Sequence, residues 1–400
     1  MTSSVREGRR PRVAVVHPRL TVGGGSEACA LWVLEALKND YDLTLMTSNT
    51  VDLSEFNEFY HTHLMPSELS IVRVPPPWFL DSTKRFAALR AFRLARFCQE
   101  QAARYDIMIS VYNQMDFGRP GIQYILDPNF DQEMLSLLNP SPRWWKRWFY
   151  LDSKIRTLYM RLGRRLSGYT DEGMKKNMTL VDSEWSRRLV RRHFGLETTV
   201  LYPPVFDGFP DVPWEEKETG FVCLGRIVPD KRIETIIRIL GAVRKDIGGL
   251  HLHIVGKVGN AGYARHLRAL SEQNREWIVW EGDVTAEKKR RILSDHRYGI
   301  HGKTNEPFGI AVAEMVQAGA VVWVPNGGGQ TEIVAHERLT YSDARDASGK
   351  IISVIRDTTL QSVLRRHLRA QARKFCLDVF LEEIRAIAAR FMKENGKRSF

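Results

Sequence analysis

Short apolar runs alternate with amphipathic stretches along most of this chain, a pattern that predicts strands and helices in regular succession. The runs at 13–16, 43–46, 71–74, 107–111, 122–126, 178–181 and 200–202 have the length and composition of buried strands. Between the first two, Ala30, Leu31, Leu34 and Leu37 recur at helical spacing after a turn made of Gly23, Gly24 and Gly25. Pro75, Pro76 and Pro77 end the third run, and Pro203 and Pro204 mark a hinge after the seventh. A second strand–loop–helix series begins at Phe221 and continues through runs at 252–255, 278–280, 298–301 and 321–324. Alternation of this kind predicts an α/β fold with doubly wound parallel sheets, here in two Rossmann-like halves. No internal repeat or low-complexity segment interrupts the plan.

Length supports the division. At 400 residues and 43% hydrophobic, the chain exceeds the roughly 250–300 residues that one core usually sustains. The expected partition is a first domain over 1–205, a polar linker over 206–220 and a second domain over 221–375. No apolar run approaches the roughly 18 residues of a membrane span, and the run at 13–16 reads as a strand, not as a signal peptide. Cys29, Cys98, Cys223 and Cys376 are far apart with no Cys-x-x-Cys pair, so reduced buried thiols and a cytoplasmic setting are expected.

The most informative chemistry lies in Y-G-I-H-G-K-T-N-E-P-F-G-I-A-V-A-E-M-V-Q-A-G, where Glu306 and Glu314 stand eight residues apart. Pro307 and Phe308 read as a turn into a helix starting near Gly309, whose free N–H groups and positive dipole end attract an anion. Glu314 lies roughly 7 Å further along that helix, at about 1.5 Å per residue. Two carboxylates that each accept paired hydrogen bonds, with an anion site between them, suit a nucleotide sugar with a diol at either end.

This segment resembles the paired-glutamate signature of the retaining glycosyltransferases of family four, the glycosyl transferases group 1. Three further boxes carry the resemblance: G-R-I-V-P-D-K-R from Gly225, similar to the family's phosphate-binding loop; A-G-A-V-V-W-V-P-N-G-G-G-Q-T-E-I-V from Ala318; and V-G-G-G-S-E from Val22. The resemblance implies the GT-B architecture, with two Rossmann-like domains facing across a cleft and a C-terminal helix within 376–400 crossing back to the first domain. It implies a catalytic part for Glu306, Arg226 and Lys231. It also implies a nucleotide-sugar site formed by Gly24, Gly25, Arg226, Lys231, Phe308, Gly309, Ile310 and Glu314. The donor expected is a UDP- or GDP-sugar, no metal or other cofactor is expected, and the acceptor expected is a glycan or a lipid-linked glycan. A forked guanidinium and a point ammonium would stabilise charge on the departing diphosphate, so no acid need protonate it.

The glycine turn is not a dinucleotide fingerprint, because it lacks the G-x-G-x-x-G order and the second strand ends in Met46, Thr47 and Ser48 with no ribose-binding acid. One departure from the family stands out. Many relatives place a histidine where this chain has Leu126 in Q-Y-I-L-D-P, which leaves Asp127 and His17 as candidates for its role or as turn residues. His301 and His193 read as ordinary core or surface histidines.

The net charge of +12 is uneven: residues 81–104 hold six Lys or Arg against two acids, and residues 143–165 hold eight against one. Phe86, Leu89, Phe92 and Phe97 accompany the first stretch, and Trp144, Trp145, Trp148, Phe149 and Tyr150 the second. Such a mixture suits an anionic membrane surface and peripheral attachment, whereas nucleic-acid binding would leave the paired glutamates and the Gly-Arg-Lys loop without purpose. A nucleotide-sugar epimerase or hydrolase on the same fold is the alternative.

Overall fold

The computed structural model describes residues 9–74, 87–128 and 154–396, with Met134 and Leu138 between them. Arg143, Lys146, Arg147 and the aromatic residues from Trp144 to Tyr150 lie outside the described residues, as does Phe86. The described residues form two parallel sheets with helices packed around them.

The first sheet has seven strands, β1 (Arg12–Val16), β2 (Asp42–Thr47), β3 (Leu69–Arg73), β4 (Ile107–Tyr112), β5 (Ile122–Ile125), β6 (Met178–Val181) and β7 (Thr199–Val200), in the order β3-β2-β1-β4-β5-β6-β7. The second has six, β8 (Glu218–Leu224), β9 (His251–Val255), β10 (Ile278–Gly282), β11 (His296–Ile300), β12 (Val321–Pro325) and β13 (Thr340–Tyr341), in the order β10-β9-β8-β11-β12-β13. In both, the order reverses beside the first strand, which opens a crevice at the strands' carboxyl ends where ligands bind in such sheets. The two-residue β13 is too short to be read from the sequence.

Helix α1 (Gly25–Leu37) is buried along most of its length, because the sheet covers one side and the C-terminal helix covers another. In that last helix (Leu377–Gly396), Phe380, Ile384, Ile387, Ala388 and Phe391 fall on one stripe at helical spacing and join the first domain's core with Leu31 and Leu34. The Arg385 guanidinium seals the contact by donating to the Ala36 carbonyl at 2.8 Å. The two crossings between domains run side by side, with Val205 bridged to Cys376 in parallel pairing.

The segment expected as a polar linker is packed more firmly than its composition suggests. Trp214 is buried in the second core, and the buried ammonium of Lys217 donates to the carbonyls of Ser294 and Ala318. Strand β8 begins at Glu218, which pairs with His296 of β11, and Gly220 pairs with His251 of β9. All four cysteines are free; Cys29, Cys98 and Cys223 are buried and Cys376 is half-buried.

Candidate functional site

The loop after β11 carries Glu306 between the two domains. Its carboxylate oxygen Oε2 lies 2.6 Å from Lys231 Nζ, 3.3 Å from His301 Nε2 and 3.8 Å from Lys303 Nζ. Burial pushes the Glu306 carboxyl up, yet Lys231, Lys303 and the hydrogen bond to His301 together hold it well below the usual carboxylate range. Glu306 is therefore an anion throughout the neutral range. It can accept hydrogen bonds or stabilise a developing positive charge, but it is not an acid that donates a proton.

Glycines set this loop in place. Gly328, at φ +83, has no room for a side chain, since a Cβ there would meet the Glu306 backbone at 2.5 Å. Gly329 N donates to the Glu306 carbonyl at 2.8 Å. The N-G-G-G run is thus the floor on which Glu306 rests. Gly309, at φ +103, turns the chain into a helix, Ile310–Gln317. On that helix Glu314 meets Lys289 Nζ at 2.6 Å, so each glutamate of the pair is matched to its own lysine. Phe308 does not line the site with its ring, which is buried against Tyr202 and Phe375 at centroid distances of 5.8 and 5.4 Å.

The glycine turn of the first domain meets this segment directly. A Cβ on Gly25 would stand 2.5 Å from Ile310 Cδ1, so the start of α1 and the Ile310 side chain lie in close contact across the two domains. Two amides of this turn are engaged within the first domain. Gly23 N and Gly24 N both donate to the Tyr60 hydroxyl at 2.9 Å, which in turn donates to Gly24 O at 2.9 Å. Gly24 also packs over Glu27, whose carboxylate takes hydrogen bonds from Thr21 and Ser26.

Of the cations in the loop after β8, Lys231 sits at the end of a short 3-10 turn and is paired with Glu306, while Arg226 is exposed. The charge of Arg226 is felt by Tyr112 of the first domain, whose phenol burial pushes up and which donates to Asp127 Oδ2 at 3.1 Å. Tyr112 holds φ +131, a strained conformation for a bulky residue, at the carboxyl end of β4. Asp127 is therefore held by Tyr112 beside the cleft. His17, at the end of β1, is buried with neither ring nitrogen hydrogen-bonded, and burial lowers it to about 4 against the opposing pull of Glu27.

Residues that the sequence reading passed over complete the picture. His301, which its sequence context marks as an ordinary core or surface histidine, contacts Glu306. Asp182, at the end of β6, is buried, and burial raises it to about 8, with Glu306 and Glu332 adding to the rise. Two acids near one another, one held charged and one held neutral, divide the roles open to a carboxyl group. The signal for Asp182 was its place just beyond a strand's carboxyl end. Glu332 works between domains: it accepts from Glu184 N at 3.0 Å, Trp185 N at 2.8 Å and the Tyr202 hydroxyl at 3.2 Å, capping the helix Glu184–Phe194 from the opposite domain. Ser183 adds a second link by donating to Pro307 O at 2.6 Å.

Residues 207–375, which carry Arg226, Lys231, Glu306 and Glu314, match the family Glycosyl transferases group 1. The second domain belongs to that family. The resemblance extends over the rest of the chain as well. A mouse GDP-Man:Man(3)GlcNAc(2)-PP-Dol alpha-1,2-mannosyltransferase is 24% identical over 407 aligned positions, covering 90% of this chain and 82% of the relative. The human enzyme of the same description is 22% identical, with 94% and 86% covered. Among solved structures, the sucrose-phosphate synthase of Thermosynechococcus elongatus superposes with a TM-score of 0.70 at 15% identity, covering 96% of this chain and all (100%) of that one. Anabaena HepE in complex with UDP and glucose superposes at 0.66 and 13% identity, covering 95% and 100%. The chain is a glycosyltransferase of GT-B architecture.

Proposed function

We propose that this glycosyltransferase moves mannose from GDP-mannose to a lipid-linked glycan, with retention of anomeric configuration and with no divalent ion in the reaction. The observation that carries the chemistry is the convergence of Lys231, His301 and Lys303 on Glu306 at the entry to the helix Ile310–Gln317. Cations and a helix N-terminus beside that cluster support the reading, since both would stabilise the negative charge that a diphosphate collects as the sugar leaves. Lys231 and Arg226 supply that stabilisation, Glu306 holds the sugar hydroxyls, and Glu314 holds the ribose. Asp127 is a further catalytic candidate on the acceptor side. The choice of GDP and mannose, and of a pyrophosphate-linked acceptor, rests on the relatives.

A membrane-facing acceptor side fits the first domain. On the helix Lys154–Ser167, Leu162 and Leu166 are 54% and 66% exposed at adjacent turns, flanked by the exposed Arg161 and Arg165. Apolar side chains interleaved with arginines suit peripheral attachment to an anionic leaflet. Among the described residues no helix is long and apolar enough to cross a membrane. The donor assignment is tested by incubating the protein with labelled GDP-mannose, UDP-glucose and UDP-N-acetylglucosamine beside a lipid extract. Label moving from GDP-mannose into the lipid phase supports it, and preferential use of either UDP-sugar overturns it.

A further inference from the structure

A cluster of imidazoles lies on the second sheet, away from the residues discussed so far. His251 and His253 alternate on one face of β9, and His296 begins β11, two strands away. The rings meet because the strand between them, β8, carries Gly220, where a Cβ would stand 2.2 Å from His251 Nε2. Centroid distances among the three rings are 5.2, 5.1 and 4.4 Å, and one ring nitrogen of each lies within 4.8 Å of those of the other two.

Glu218 of β8 closes the group. His251 Nε2 and His296 Nε2 are 3.1 Å apart, and Glu218 Oε2 is 3.2 Å from the first and 4.0 Å from the second. A triangle with those sides has a centre about 2.0 Å from every corner, which is the length of a zinc–imidazole or zinc–carboxylate bond.

The outer partners are those of a metal centre. His253 Nδ1 faces Glu281 Oε1 at 2.9 Å, and His296 Nδ1 faces the Ile292 carbonyl at 2.7 Å. If each Nδ1 carries the proton toward its acceptor, each Nε2 is left as a lone pair, the arrangement that orients ligating histidines. The rings meet edge to face, at interplanar angles of 63–73°, so their nitrogens rather than their faces converge.

We propose that His251, His253, His296 and Glu218 form a structural zinc site that ties β8, β9 and β11 together. The imidazole-rich donor set selects zinc-class ions over magnesium or calcium, which require oxygen cages. Entry is open, since the Glu218 side chain is 57% exposed and that of His251 24%. The four ligands sit among the first three residues of their strands, whereas Lys231, His301 and Glu306 follow the strands' carboxyl ends. The ion therefore stabilises the domain and takes no part in transfer.

The test uses the full chain, freed of any affinity tag and stripped of metal. Titration with Zn²⁺ is expected to show one equivalent bound, and Co²⁺ in its place is expected to give the visible bands of a four- or five-coordinate nitrogen and oxygen site. Glu281→Gln, which leaves all four ligands intact, is expected to lower Zn²⁺ affinity about 10–100-fold, and His253→Gln by at least as much. Thermal unfolding of the wild type is expected to rise with Zn²⁺ while the transfer rate of the folded Glu281→Gln protein stays at the wild-type value. No stoichiometric uptake, or uptake equal to that of a His251→Gln/His253→Gln/His296→Gln variant, would overturn the proposal. If that triple variant does not fold, a thiolate charge-transfer band in the Co²⁺ protein, or unchanged affinity in Glu281→Gln, would overturn it equally.

Discussion

Replacing Lys231 by Met separates two jobs that the structure gives one ammonium. Lys231 Nζ and Glu306 Oε2 are 2.6 Å apart and each side chain is only 15% exposed, so the pair behaves as a largely buried one. Breaking a buried pair by removing one partner costs about 3–5 kcal/mol, and Lys303, still 3.8 Å from the carboxylate, places the loss at the lower end, about 3 kcal/mol. For a domain of this size that corresponds to a fall of roughly 6–12 °C in Tm. Because the pair keeps Glu306 below its ordinary range, the stabilisation is present above the unfolded carboxyl pKa and is lost as pH falls through the lowered folded value. The gap between variant and wild type should therefore shrink in acid. The same change removes charge stabilisation from the leaving diphosphate, for an expected loss on the order of 10²-fold in kcat. The double variant Lys231→Met/Glu306→Gln leaves no buried charge unmatched at that bond, so it should regain most of the stability and none of the activity. The assays are thermal unfolding across pH and single-turnover transfer at saturating donor. Wild-type stability in Lys231→Met, or activity returning in the double variant, would show that Lys231 does not hold these two roles.

Three other outcomes follow from particular contacts. Asp182, raised to about 8 by burial, binds its proton more tightly folded than unfolded, so its contribution is present below the unfolded value of 3.8 and lost as pH rises through about 8. Asp182→Asn should remove up to about 1.4 kcal/mol per pH unit of that slope, and parallel pH–stability curves would contradict the assignment. Gly328→Ala forces a Cβ against the Glu306 backbone at a positive φ, and should cost on the order of 1–3 kcal/mol together with at least about 10-fold in transfer; an active, fully stable variant would show that the loop tolerates movement. Leu162→Ser/Leu166→Ser should weaken binding to anionic vesicles without changing GDP affinity, as judged by sedimentation, and unchanged binding would remove that helix from the membrane surface.

The strands were legible because their apolar runs are short and bounded by turn residues, and the strands β1, β6 and β12 lie within a residue of the runs that announced them. The start of β8 was not, since Glu218, Thr219 and Gly220 are polar or small and gain their place from pairing with His296 and His251 on the flanking strands. The C-terminal helix was legible through its stripe from Phe380 to Phe391, although which domain it covers came from the family resemblance. In the site, residues close in sequence were easier to find than residues brought together by the fold. Glu306 and Glu314 announce themselves by spacing, whereas the partners of Glu306 come from the loop after β8 and from the end of β11. The loss of Gly23 and Gly24 amides to Tyr60 depends on a residue 36 or 37 positions away. The same holds for the proposed zinc ligands, of which only His251 and His253 are near one another in sequence, His296 and Glu218 coming from two other strands.

The proposed function is transfer of mannose from GDP-mannose to a lipid-linked glycan in the cleft around Glu306. The direct measurement is product analysis after incubating wild type and Glu306→Gln with GDP-[¹³C]mannose and a pyrophosphate-linked oligosaccharide, in buffer with no added magnesium or manganese. The expected result is a mannosylated lipid-linked product whose one-bond C–H coupling reports an α linkage, formed by the wild type and nearly abolished in a folded Glu306→Gln protein. A β-linked product, free mannose as the main product, a strict need for added divalent ion, or wild-type turnover in Glu306→Gln would contradict it.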